Sequence, residues 1–373
     1  MNKTESNTTS TTVSLYVKGG EHDAGCYYRF LQYFDRMPVS VRLHTMYSDV
    51  IYKKYLPIAN NPLFIKVILW LYITVRVFCQ VIGDCIKKPA YIVISRRLVS
   101  RRMIFVFHPF IHYLYHSGVV FIWDMDDDIL ASKECDSHAF NLFLKVSRNI
   151  ILASAYLKGL IPVQYHTKVL LLPSLDYDTE NIYSEDVVKK RQETLGQNTN
   201  IIWLGTQVSL PYVEKVADLF DKAAKILLKE GRSLTLTVVC DAPLVFDGKS
   251  LNVKNIKWSR SIALNELESA HIGIMPFEIT EFTKGKGGFK LLQYISMGLP
   301  VIATGVGINN DIVDKSFGYL SSGLEDPNWC DAVLEIANSY DNYEIKARCA
   351  RKHYERNFSC QQNLNIWNQL LFS

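Results

Sequence analysis

Residues 281–311 read EFTKGKGGFKLLQYISMGLPVIATGVGINND, and this stretch decides the fold. Lys284, Lys286 and Lys290 lie around Gly285, Gly287 and Gly288, directly ahead of a segment whose apolar positions, Leu291, Leu292, Ile295 and Met297, recur at helical spacing. Gly298-Leu299-Pro300 ends that helix, VIAT at 301–304 reads as a short buried strand, and Gly305 and Gly307 open the next loop. Glycines let backbone N–H groups approach a ligand, a helix N-terminus carries partial positive charge, and ammonium groups add full charge. Together they suit an anion of the size of a diphosphate.

Outward from this segment the same grammar repeats. Towards the N-terminus come NIIWLG at 200–205, a helix near 211–230, LTLTVVC at 234–240, a helix near 263–269 and HIGIMPF at 271–277. An earlier series holds VSLYV at 13–17, a helix near 25–37, VSVRL at 39–43, YIVIS at 91–95, a helix near 100–116 and VVFIW at 119–123. Strands alternating with helices argue for βαβ units around parallel sheets. At 373 residues the chain exceeds the roughly 250–300 at which one core stops growing. The expected fold class is α/β with two Rossmann-like domains. The first covers 13–176 after a disordered tail over 1–12, and the second covers 198–342. A helical terminus over 343–373 is expected to pack back on the first domain, and the ligand site is expected in the cleft at the strands' carboxyl ends.

Composition narrows the function classes. Hydrophobic residues make up 48% and charged residues 21%, which excludes disordered and collagen-like chains. A net charge of +4 is too small for a general nucleic-acid footprint, so no nucleic-acid partner is expected. The eight cysteines show neither C-x-x-C nor zinc-ligand spacing and read as core residues of a reducing compartment. The segment Met1–Thr12 lacks the basic start and apolar run of a secretory signal, so a cytosolic location is expected.

One membrane-like run, LFIKVILWLYITVRVFCQVI at 63–82, is interrupted by Lys66, Arg76 and Gln80 and reads as a buried or interfacial helix. Lys87, Lys88, Arg96, Arg97, Arg101 and Arg102 follow it without an intervening acid, a pattern suited to anionic lipid headgroups. A solvated helix face is the plainer alternative. His108, His112 and His116 share one helical face and read as packing or lipid-facing residues.

Two further loops sit at strand ends. Lys18-Gly19-Gly20 closes the first strand, either as a close backbone approach to a phosphate or sugar or as a tight turn only. Asp124, Asp126, Asp127 and Asp128 follow VVFIW, and four carboxylates so close repel unless something holds them. A divalent metal site, a site for sugar or acceptor hydroxyls, and an Asx-turn with helix cap all remain open readings. No second ligand cluster completes a coordination shell, so no metal is expected.

GKGGFKLLQYISMGLPVIATGVGINNDIV resembles the nucleotide-sugar site of GT-B glycosyltransferases of family 4 (group 1). CYYRFLQYF at 26–34, VISRR at 93–97, FIWDMDDDI at 121–129, LPSLDYD at 172–178, IIWLGTQVSLPYVE at 201–214 and HIGIMPF follow the same order along residues 13–360. Together they are similar to a bacterial subgroup that builds lipopolysaccharide, capsule or exopolysaccharide.

The resemblance implies a retaining, metal-independent transfer from an NDP-sugar, a substrate rather than a cofactor, to a lipid-linked or oligosaccharide acceptor. It further implies a peripheral location on the inner face of the plasma membrane, against an anionic surface. By the same resemblance the catalytic candidates are Lys286, Lys290, Asp124 and Asp126. Donor-binding candidates are Gly19, Gly20, Thr206, Arg260, Gly287, Gly288, Phe289 and Gln293, and those facing the acceptor are Arg29, Arg96 and Asp127. The chain departs from the pattern in three places. Gly285 stands where the family has its first motif glutamate, a contact that could move to Glu278 or Glu281. Gln293 replaces the second glutamate, and Gly205-Thr206-Gln207 lacks the usual Arg and Lys, for which Arg260 could substitute. The Asp124–Asp127 cluster replaces a histidine. These departures keep two other readings open, a catalytically weakened sugar-nucleotide-binding partner and a metal-dependent GT-A transferase using Asp124 and Asp126.

Overall fold

A computed structural model describes residues 11–21, 23–55, 61–99 and 103–372. Of the tail expected over 1–12, only Thr11 and Thr12 fall among them, and they open the first strand. The chain divides into two compact units, one formed by residues 1–173 with 361–373 and the other by 174–360.

The first unit holds β1 (Thr11–Val17), β2 (Val39–Thr45), β3 (Tyr91–Ser95), β4 (Val120–Met125), β5 (Ser147–Leu152) and β6 (Val169–Leu171). They form one parallel sheet in the order β2-β1-β3-β4-β5-β6. Central strands such as β3 and β4 are almost wholly apolar because helices cover both faces of such a sheet. Trp123, Phe107, Phe143 and Ile150 lie in its core. The last helix, Cys360–Phe372, contributes to this unit. Trp367 is buried and packs edge-on against Phe34 at 5.0 Å between ring centroids, and Asn363 donates to the Tyr33 hydroxyl at 3.0 Å.

The second unit holds β7 (Asn198–Leu204), β8 (Ser233–Val239), β9 (Asn252–Ile256), β10 (Ile272–Met275), β11 (Val301–Thr304) and β12 (Gly318–Ser321). Their parallel order is β12-β11-β10-β7-β8-β9. Counted within the unit this is the doubly wound order 3-2-1-4-5-6, whose direction reverses between β7 and β10. Residues 177–197, between the two expected domains, form two helices of this unit, Tyr177–Ile182 and Glu185–Leu195. Ser184 caps the latter, while Val187, Val188 and Leu195 bury its inner face. The expected terminal helix is likewise two helices, of which Tyr340–Asn357 lies in the second unit.

Candidate functional site

The loop at 284–290 follows β10, next to the point where the strand order of the second sheet reverses, and leads into the helix Phe289–Ser296. That helix is anchored from below. The Tyr294 hydroxyl accepts from the Leu204 N–H at 3.0 Å at the end of β7, and Leu291, Leu292 and Ile295 are buried. Gly288 caps it with φ +68°, a left-handed conformation that favours glycine. A Cβ there would also stand 2.5 Å from Ile312 Cδ1, so both the turn and the close packing require glycine. Gly307, at φ +52°, likewise leaves no room for a side chain beside the Lys284 carbonyl, so the 305–307 loop closes directly on the lysine segment.

Around this frame Lys286 Nζ lies 4.2 Å from the Phe282 ring centroid, and Lys284 pairs with Glu281 at 2.6 Å. Lys290 is partly exposed. Burial pushes the Cys240 thiol up, and the Lys290 charge opposes that shift. Gly287 and Phe289 are partly exposed and Thr206 is exposed.

Gln293 and Arg260, both donor-binding candidates, are joined through two carboxylates to which the sequence reading gave no role. Buried Asp176 accepts from Gln293 Nε2 at 2.8 Å and from the Asp178 N–H at 3.0 Å, while Arg260 pairs with Asp178. Burial pushes the Asp176 carboxyl up to about 6. Because a carboxylate only accepts, Asp176 takes the amide N–H of Gln293 and turns its Oε1 the other way. The two acids offered as replacements for the missing glutamate are engaged on the surface, Glu278 with Lys215 and Glu281 with Lys284. Glu278 and Lys215 edge an open hollow of about 560 Å³ closed by the 322–327 turn. With Glu278, Glu325 and Asp326 against one lysine, its charge is wrong for a diphosphate.

The first unit corrects several expectations. Asp124 is 0% exposed and is gripped by Arg29, itself 2% exposed, through Nε at 3.3 Å and through Nη2. Arg29 Nη1 also donates to the Leu172 carbonyl at 2.5 Å. The pair therefore ties the 24–34 helical segment to β4 inside the unit; neither the catalytic role expected for Asp124 nor the acceptor role expected for Arg29 fits groups so enclosed. Arg96 does not point to lipid. It takes Asp126 in a two-point contact at 2.6 and 3.1 Å, Asp127 at 2.6 Å and Glu134 at 3.3 Å. Asp126 and Asp127, the remaining catalytic and acceptor candidates of this cluster, are thus held by an arginine that lies about 30 residues away in sequence.

Asp128 accepts from the Leu130 and Ala131 N–H groups, the Asx-turn reading. Arg96 has φ +58°, unusual for a non-glycine residue and costing roughly 1–3 kcal/mol, at the crossover between β1 and β3. Gly19 and Gly20 form a tight turn. The Gly19 N–H donates to Asp23 at 3.1 Å, and a Cβ on Gly19 would meet the Tyr52 ring at 2.7 Å. Arg101 and Arg102 lie outside the described residues. Among the described residues no group of three His, Cys, Asp or Glu side chains is placed to hold a metal ion.

Residues 198–339, spanning β7 to the helix Asn328–Asn338, match the family model of Glycosyl transferases group 1. Over that segment the chain is similar to group 1 glycosyltransferases. No curated protein matches the sequence. Solved structures share the two-sheet architecture, which is the GT-B fold. Anabaena HepE in complex with UDP and glucose matches at TM-score 0.62 and 11% identity, over 97% of this chain and 99% of that one. Sucrose-phosphate synthase from Thermosynechococcus elongatus matches at 0.64 and 11%, over 96% and 98%. A UDP-N-acetylglucosamine 2-epimerase from Listeria monocytogenes matches at 0.58 and 11%, over 97% of each. At such identities the likeness shows the fold alone. The glycine-lysine loop lies within the matched 198–339 segment.

Proposed function

We propose that the protein is a retaining glycosyltransferase that moves a sugar from an NDP-sugar to a lipid-linked or oligosaccharide acceptor in bacterial surface-polysaccharide synthesis. It works in the cytoplasm, peripherally on the inner face of the plasma membrane, and needs no metal. The observation that carries the reading is the 285–290 loop, where glycine backbone, a helix N-terminus and two lysines lie in one short segment next to the crossover of a Rossmann-order sheet.

The barrier to transfer lies in breaking the anomeric C–O bond while negative charge grows on the departing diphosphate. Lys286, Lys290 and the N–H groups after Gly287 supply preorganised positive charge for that step. Gln293, turned by Asp176, offers an oxygen acceptor to the nucleoside, the role for which the family pattern has a glutamate. The HepE complex holds UDP, which makes UDP-sugars the first donors to test.

Incubation with UDP-, GDP- and dTDP-sugars and a lipid-linked glycan extract should release the free nucleotide and extend the glycan, with equal rates in EDTA. Nucleotide binding without turnover across all donors and acceptors would favour the sugar-nucleotide-binding alternative. Turnover restored only by Mn²⁺ would contradict the metal-independent mechanism.

A further inference from the structure

The helix Leu63–Lys87 is the one described helix long and apolar enough to cross a membrane, yet only 22% of its most apolar 18-residue window is buried. Its inner face carries Leu69, Ile73, Val77 and Val81 and is tied to the sheet by polar clamps. Arg76 donates to the Thr45 carbonyl at 2.8 Å and to its hydroxyl at 2.9 Å. Asp84 accepts from Ser14 at 2.9 Å and Tyr16 at 2.7 Å. A helix whose second half is held to β1 and β2 in this way packs on the sheet rather than standing free to span a bilayer.

The outer arc repeats at i, i+4, i+7 and i+11. Phe64 is 65% exposed, Ile68 59%, Leu71 51% and Val75 61%, with Val67 and Trp70 beside them. Water against so many adjacent apolar side chains is costly, and a soluble monomer seldom exposes such a stripe without a partner.

Charge selects the partner. This helix and the neighbouring Ile104–His116 helix hold one carboxylate between them, Asp84, and it is buried and bonded inward. Lys87 and Lys88 stand exposed at the C-terminal end, and Lys88 Nζ lies 5.2 Å from the centroid of the exposed Tyr113 ring. An apolar stripe edged by lysines and aromatic rings fits the boundary between anionic headgroups and acyl chains.

We infer that the Leu63–Lys87 helix lies in the plane of an anionic membrane surface, with Phe64, Ile68, Leu71 and Val75 inserted and Lys87 and Lys88 at the headgroups. The inference deepens the proposed membrane location and rests on it for its biological setting. Arg96, held by Asp126 and Asp127, takes no part.

The test is co-sedimentation of the full chain with phosphatidylglycerol–phosphatidylcholine vesicles, with sedimentation velocity for its oligomeric state. Wild-type protein should pellet with vesicles and be monomeric without them. Ile68→Glu/Leu71→Glu should lower the partition coefficient at least tenfold, whereas Ile226→Glu/Leu228→Glu, on an exposed face of the second unit, should not. Lys87→Gln/Lys88→Gln should weaken binding several-fold, and only to anionic vesicles at low salt.

Wild-type protein left in the supernatant would overturn the inference. So would a wild-type dimer that becomes monomeric in Ile68→Glu/Leu71→Glu, since a second copy would then cover the stripe. Thermal shift with UDP on the same samples separates the two readings. Vesicle binding without a nucleotide response leaves the docking face standing and removes the transferase reading, and the reverse pattern removes the docking face alone.

Discussion

Asp124 and Asp176 are buried aspartates, one in each unit, and they are held in opposite ways. Asp124 is enclosed with a guanidinium that matches it in charge and geometry; burial pushes its carboxyl up and the Arg29 charge opposes that shift, so the pair forms an internal strut. Asp176 accepts from an amide and a backbone N–H, and burial pushes it up to about 6. A run of carboxylates at a strand end thus signals chemistry only if the partner that neutralises it lies outside the chain. In the first unit Arg29 and Arg96 supply that partner from within. In the second unit cations gather around glycine backbone, which suits an external anion.

The largest effect should come from breaking the matched pair. Arg29→Met leaves an unpaired buried carboxylate and should cost about 3–5 kcal/mol of stability, measured by urea unfolding. Adding Asp124→Leu should restore most of that loss, which a catalytic Asp124 would not allow without loss of turnover.

Lys290→Ala should lower kcat/KM by roughly 10²–10³, as for one preorganised donor to developing charge, while Tm stays unchanged. Unchanged kinetics would remove the contrast between the two units.

Asp176→Asn sharpens the comparison through pH. The folded carboxyl titrates near 6 against an ordinary 3.8, so the fold favours its protonated form. That contribution is fully present below about pH 4 and is lost as pH rises towards 6. Asparagine keeps the helix cap and cannot ionise. The variant should therefore gain ~1–3 kcal/mol at pH 7.5 and nothing at pH 4; equal effects at both pH values would mean that Asp176 is not held near neutrality.

The smallest effect belongs to Asp127→Asn. Arg96 keeps its contacts with Asp126 and Glu134, and the site is partly solvated, so stability should fall by less than about 1 kcal/mol and turnover by a few-fold at most. A loss of turnover above a hundredfold would return Asp127 to the chemistry.

Much of the fold was legible in the sequence because buried parallel strands such as YIVIS and VIAT stand out as short apolar runs between helical patterns. β5 did not, because its first half, Ser147-Arg148-Asn149, is polar and leaves the strand an apolar run of only three residues, Ile150 to Leu152. β9 is an exposed, polar edge strand, and β12 has only four residues. The helix at 185–195 carries a signal that could have found it, a capping serine followed by two acids.

At the site, the glycine-lysine loop was legible because backbone freedom and charge are local in sequence. The roles of Asp124 and Arg96 were not, since their partners lie 95 and about 30 residues away. Asp176 was missed because only burial makes it unusual.

The most direct test is calorimetric titration of UDP and GDP into wild-type protein and Lys290→Ala. Saturable binding of one nucleotide to the wild type is expected, with at least tenfold weaker binding to a variant of unchanged Tm. Equal affinity in the two proteins, or no binding to either, would contradict that expectation.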